Sequence, residues 1–227
     1  MKGALTIGRV SGIRLDVHWT FIFILAYVFV IYYQLEKDLQ QGLLGVLLIL
    51  ALFVCVILHE LGHALTAKRF DIMTRSITLL PIGGLARLEK IPEKPKQEFL
   101  VAIAGPLVNV VIAVIIYSFL YASNVIPTLT ENPEDLVKLS GAAFWFNLLI
   151  ANVFLAAFNF IPAFPMDGGR ILRALLLYKF SREKATRIAA GIGQFLAIIF
   201  FFAGFYVNIF LIFIGIFIFL GAGAEAQ

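Results

Sequence analysis

Two imidazoles and a carboxylate stand within five residues of one another, as His59, Glu60 and His63 in the order H-E-x-x-H. On a helix, residues four apart lie one above the other, so His59 and His63 share a face and can grip a single ion. The spacing is a zinc-binding pattern. Glu60 lies one position round the helix. It is poorly placed as a third ligand but well placed to reach a water at the ion, the position of a general base. The chemistry implied is metal-assisted hydrolysis. The surrounding run, LFVCVILHELGHALTAKRF at 52–70, is otherwise apolar and holds two of the chain's three histidines. A charge near the middle of a membrane span costs about 2.5–3.5 kcal/mol on insertion scales, so ionisable groups there are functional candidates by default. The plainer alternative is a satisfied polar cluster that joins helices. Lys68 and Arg69 mark the end of the run, which places the two histidines roughly 7–14 Å inside it at 1.5 Å per residue.

A catalytic zinc takes three protein ligands and keeps one position open. His18, at the start of the first apolar run, is read as a structural or orienting residue at the interface. Cys55, one turn before His59, is read as a small packing residue; as a ligand it would fill the open position. The carboxylates nearest a span on the same side are Asp16 and Asp167. Asp167 has the better surroundings, NFIPAFPMDGGR at 159–170. There Pro162 and Pro165 must end a helix, and Gly168 and Gly169 permit conformations that other residues resist. Broken backbone at membrane depth is tolerated only where protein or a water-filled cavity surrounds it. The alternative is an aspartate that caps the following amphipathic helix. Asn152 and Asn159 are seven apart and share a helical face leading toward Asp167. Either can donate to a developing oxyanion, or simply bond across helices. Asn109 and Gln194 carry the same two readings.

These residues need a bilayer-spanning scaffold. The chain of 227 residues is 61% apolar, outside the usual composition of a soluble domain. Apolar runs at 17–35, 42–67, 97–122, 141–161, 186–205 and 207–223 predict six crossings. The fold class expected is therefore an all-α membrane protein, a polytopic bundle of about six transmembrane helices. One cysteine excludes an intramolecular disulfide. Lys2, Arg9 and Arg14 precede the first run, and dense basic clusters follow the second and the fourth. The opposite loops hold only Lys37 and Lys138. By the positive-inside rule both termini and the two basic loops are cytoplasmic. The basic residues form no stripe interleaved with aromatics, which argues against nucleic acid. The segment SITLLPIGGLARLEK at 76–90 mixes β-branched residues with a Pro-Ile-Gly-Gly break, predicting a short cytoplasmic β-hairpin or re-entrant segment whose edge could pair with an extended peptide. The connector at 124–140 is polar, with two prolines, and is assigned no chemistry.

Taken together, HELGH in an apolar helix, AGPLVN at 104–109 and NFIPAFPMDGGR resemble the site-2 protease family of intramembrane zinc metalloproteases. GIRLDVHWTF at 12–21 and PIGG at 81–84 extend the likeness over nearly the whole chain. The resemblance implies one Zn2+ held by His59, His63 and Asp167, with Glu60 as catalytic acid and base and Asn159 as a substrate-positioning or oxyanion group. It implies a six-helix core in a prokaryotic cell membrane. The implied substrates are single-pass transmembrane proteins, such as anti-sigma factors or membrane-tethered transcription factors. Many members carry a PDZ or CBS-pair domain; the expectation for residues 1–227 is a single metalloprotease core domain with neither. The rival reading is an integral-membrane metal transporter or metal-binding protein. A transporter has no need of a non-ligating glutamate, and the outer half of the second run, GLLGVLLILALFV at 42–54, offers no polar path.

Overall fold

The computed structural model describes residues 3–81, 83–88, 90, 92, 94–124, 138–139 and 141–226. They form two compact units, one of residues 1–90 and 107–155 and one of residues 91–106 and 156–227.

The first unit opens with two strands ahead of the first apolar run, β1 (Ala4–Val10) and β2 (Ile13–His18); only the end of β2, Val17 and His18, falls within the run read at 17–35. They turn at Ser11 and Gly12, both with positive φ (52° and 88°), the backbone a two-residue hairpin turn requires. After the helices come β3 (Thr74–Leu80) and β4 (Gly83–Leu88), and the sheet order is β1-β2-β3-β4. The expected hairpin at 76–90 is thus half of a four-stranded sheet, and the all-α expectation is corrected to a helical protein with a small sheet; residues 82 and 89 of that segment lie outside the described residues. Strands β2 and β3 are parallel, with Leu15 opposite Ile77 and Asp16 opposite Thr78. Parallel neighbours need a long crossover. Here it consists of α1 (Phe21–Glu36) and α2 (Leu39–Lys68).

Helix α1 ends at Lys37 in the left-handed region, and α2 starts immediately at Asp38, whose side chain accepts from the Gln40 N–H at 2.9 Å. The two helices pack tightly because Gly42 and Gly45 face aromatic rings. A Cβ at these positions would come within 2.8 Å of Phe29 and 2.6 Å of Tyr32. Further along, Leu61 and Ala64 of α2, with Ile57, pack on Ile13, Leu15 and Ile77 of the sheet. Cys55, two residues before Ile57 and so nearly opposite on the helix, packs instead on α3 (Pro95–Ala122) and α4 (Gly141–Phe160) through Ala113, Ile116, Leu120, Leu148 and Leu149.

In the second unit, α4 ends in a short non-helical turn at 161–166. Then follow α5 (Asp167–Leu176), α6 (Arg182–Gly204) and α7 (Phe210–Glu225). Three residues of the turn are buried: Ala163 and Met166 pack on Ala197 and Ile218, and Phe164 on Ala189, Ala190 and Ala222. Arg173, 4% exposed, donates from Nε to Glu98 Oε1 and from Nη1 to Glu225 Oε1, both at 2.6 Å. Arg182 pairs with the other Glu98 oxygen at 3.3 Å.

Helices α2, α3, α4 and α6 are long and apolar enough to cross a membrane. Helices α1 and α7 are apolar but only 16 residues each. The polar connector expected at 124–140 falls, apart from Asn124, Lys138 and Leu139, outside the described residues.

Candidate metal centre

The site grows from the second face of α2. His59 and His63 are both buried, 7% and 8% exposed. Their Nε2 atoms lie 3.1 Å apart, with the rings near perpendicular at 81°. Two nitrogens bound at ~2.0–2.1 Å to one tetrahedral Zn2+ are necessarily about 3.3 Å apart, so the pair fits a common zinc ion. Glu60 sits on the flank between this face and the face that packs on the sheet. Its side chain lies against Gly84 of β4, where a Cβ would come 2.8 Å from Glu60 Cγ. No other residue type fits at position 84 without moving the carboxylate.

Behind His59 stands Asn109 of α3, whose Oδ1 is 2.8 Å from His59 Nδ1. Asn109 Nδ2 donates to Asn152 Oδ1 of α4 at 3.2 Å, and Asn152 Nδ2 donates to the Leu148 carbonyl at 2.9 Å. Both asparagines are completely buried. For Asn152 and Asn109 the structure therefore gives the cross-helix reading rather than the oxyanion one. Sequence reasoning had the signal, an amide in an apolar span, but not the partner.

The alternative ligands are engaged elsewhere. Asp16 accepts from Thr6 Oγ1 at 2.7 Å and from Arg14 Nε at 3.1 Å within the β1–β2 hairpin. His18 ends β2 rather than beginning a span, and its Nδ1 is 2.8 Å from Thr20 Oγ1 at the entry to α1. Cys55 is buried in the apolar cluster. Gln194, half-buried on α6, lies beside Gly223 of α7.

In the second unit Asp167 is buried in the first turn of α5; the N-cap position belongs to Met166. The backbone that presents it is tightly crowded. A Cβ on Gly169 would meet Phe164 N at 2.6 Å, and one on Gly168 would collide with the Ile161 carbonyl. Asn159 is half-buried one residue before the end of α4.

A family model described as peptidase family M50 matches residues 47–200. The chain belongs to peptidase family M50. It is 36% identical over its full length to a zinc metalloprotease of Methanocaldococcus jannaschii, covering 62% of that protein. It is 31% identical over 62% of its length to stage IV sporulation protein FB of Bacillus subtilis, covering 44% of that protein. The chain thus spans less than two thirds of these curated relatives. Among solved structures it resembles a site-2 protease from Methanocaldococcus jannaschii, with a TM-score of 0.66, 36% identity and coverage of 99% of this chain and 95% of that one. With its apolar helices, this M50 chain is a multi-pass membrane protein.

Proposed function

We propose that this M50 chain is an intramembrane zinc metalloprotease that hydrolyses a peptide bond in or near a transmembrane segment of a single-pass membrane protein. The observation that carries the reading is the His59–His63 Nε2 pair, 3.1 Å apart on a candidate membrane-spanning helix with Glu60 on the same turn. His59, His63 and Asp167 would hold one Zn2+. The donor set supports this, since two imidazoles and a carboxylate leave the fourth tetrahedral position free. The ion, when bound, supplies Lewis acidity and a water acidified toward neutral pH.

Glu60 takes the proton from the attacking water and returns it to the leaving amine, which balances the hydrolysis without an external acid. Asn159, near the turn that presents Asp167, would position the substrate or donate to the carbonyl oxygen as charge develops there. Helical peptide bonds are shielded by their own hydrogen bonds, so the substrate must be extended locally. Strand β4 lies at the sheet edge with its Gly84 against Glu60, and a strand added to that edge would run beside the catalytic carboxylate.

The same reading includes six crossings, counting α1 and α7, with both termini cytoplasmic in a prokaryotic cell membrane and residues 1–227 acting as one core domain. Its support is the apolar composition of the two short helices and the basic residues of the loops. Metal analysis of the detergent-purified protein, with cleavage of a reporter carrying one membrane segment, tests the proposal. Glu60→Gln should keep about one zinc per chain and lose cleavage. Undiminished cleavage by the zinc-loaded variant would remove Glu60 from its role, and a metal-loaded wild type without proteolysis would favour transport.

A further inference from the structure

A neutral imidazole carries one ring proton, and the nitrogen without it is the one able to bind a cation. For His59 the placement of that proton can be traced from a backbone atom. The Leu148 carbonyl can only accept, so the Asn152 side-chain atom 2.9 Å from it must be the amide nitrogen. The other Asn152 atom is then its oxygen, and the Asn109 atom 3.2 Å away must be a donor, the Asn109 nitrogen. This leaves the Asn109 oxygen facing His59 Nδ1 at 2.8 Å, so Nδ1 carries the proton. The Nε2 atom keeps its lone pair, and it is the atom paired with His63 Nε2. Turning Asn152 over would set its oxygen against the Leu148 oxygen. Turning Asn109 over would oppose its oxygen to the Asn152 oxygen. Both amides are 0% exposed, so water is not at hand to repair the mismatch.

We propose that Asn152 and Asn109 form an orientation relay that reads the Leu148 carbonyl and fixes His59 in its Nδ1-protonated tautomer, presenting Nε2 to a divalent cation. They are positioning residues and touch no reacting atom. The cation clause rests on the zinc reading above; the tautomer clause does not.

The test is nitrogen-15 NMR of histidine-labelled protein in detergent, stripped of metal and held above the pH at which the rings charge. With three histidines in the chain, a His59→Gln sample assigns the signal. Wild type should show His59 protonated at Nδ1 alone. Asn109→Leu should lose that single tautomer, and Asn152→Leu should mix the two. Chelator competition should show zinc affinity about 10–100-fold weaker in Asn109→Leu and weakened less in Asn152→Leu. An Nε2-protonated His59 in wild type overturns the relay without recourse to any variant, as does an unaltered tautomer in both leucine variants. If the tautomers behave as stated but wild type binds no zinc, the zinc reading fails and the relay stands.

Discussion

Gly84 of β4 presses its bare α-carbon against the Glu60 side chain, so closely that a methyl group would stand 2.8 Å from Cγ and 3.0 Å from Oε1. The strand that ends the sheet therefore sets where the proposed base points. Gly84→Ala should push the carboxylate aside while leaving the histidine pair in place. Overpacking costs about 1–3 kcal/mol, and a 1 Å misplacement of a catalytic group costs on the order of 10²-fold in rate. The expected outcome is a protein with wild-type zinc content, slightly lower thermal stability and reporter cleavage reduced by roughly that factor. Wild-type cleavage by Gly84→Ala would show that the contact places no constraint on the base.

Under the proposed ligand set, Asp167→Ala should lower zinc from about one per chain to well below that, as measured by elemental analysis after desalting. His63→Ala should do the same. A ligand that binds only the folded state stabilises it by about 2.7 kcal/mol at a hundred times its dissociation constant. Adding zinc to the stripped wild type should therefore raise its melting temperature, and both variants should lose most of that gain. Unchanged stoichiometry in Asp167→Ala would move the third ligand elsewhere.

The buried pair of Arg173 and Glu98, with side chains 5% and 4% exposed, gives a prediction about stability alone. Arg173→Met leaves the Glu98 carboxylate buried without its closest partner, at a cost of about 3–5 kcal/mol. Thermal unfolding in detergent should show a large loss. The double variant Arg173→Met with Glu98→Gln should recover part of it, because the neutral amide no longer needs the cation; no recovery would locate the loss in packing rather than charge.

The turn before α5 tolerates no added carbon. Gly169→Ala forces a Cβ to within 2.6 Å of Phe164 N, and backbone cannot yield as a side-chain tip can. Expected are lower stability and lower zinc content together, since the turn that presents Asp167 must shift. A variant that binds zinc normally would show that the aspartate's position is independent of this contact.

The histidine helix and the Pro-Gly turn were legible because both are local patterns: a four-residue spacing in the first case, and residues that break a helix at fixed positions in the second. The four longest spans were legible for the same reason, the apolar run being its own signal. Strands β1 and β2 were not. The run read at 17–35 took in only the end of strand IRLDVH, which passes through Trp19 and Thr20 into the apolar helix FIFILAYVFV, and the charged remainder gave hydropathy nothing to read. The partner of β2, strand β3, lies beyond two intervening helices, and no local period encodes such a pairing. The asparagine contacts were hidden in the same way. Each amide stood out in its own span, but only packing of three helices decides that Asn109 meets both His59 and Asn152.

Helix α2 bears the sheet on one side, through Ile57, Leu61 and Ala64, and the proposed ligands on the other, through His59 and His63. One helix is thus shared between the strands and the two rings, and a peptide added at the sheet rim would bear on the same element that carries the imidazoles.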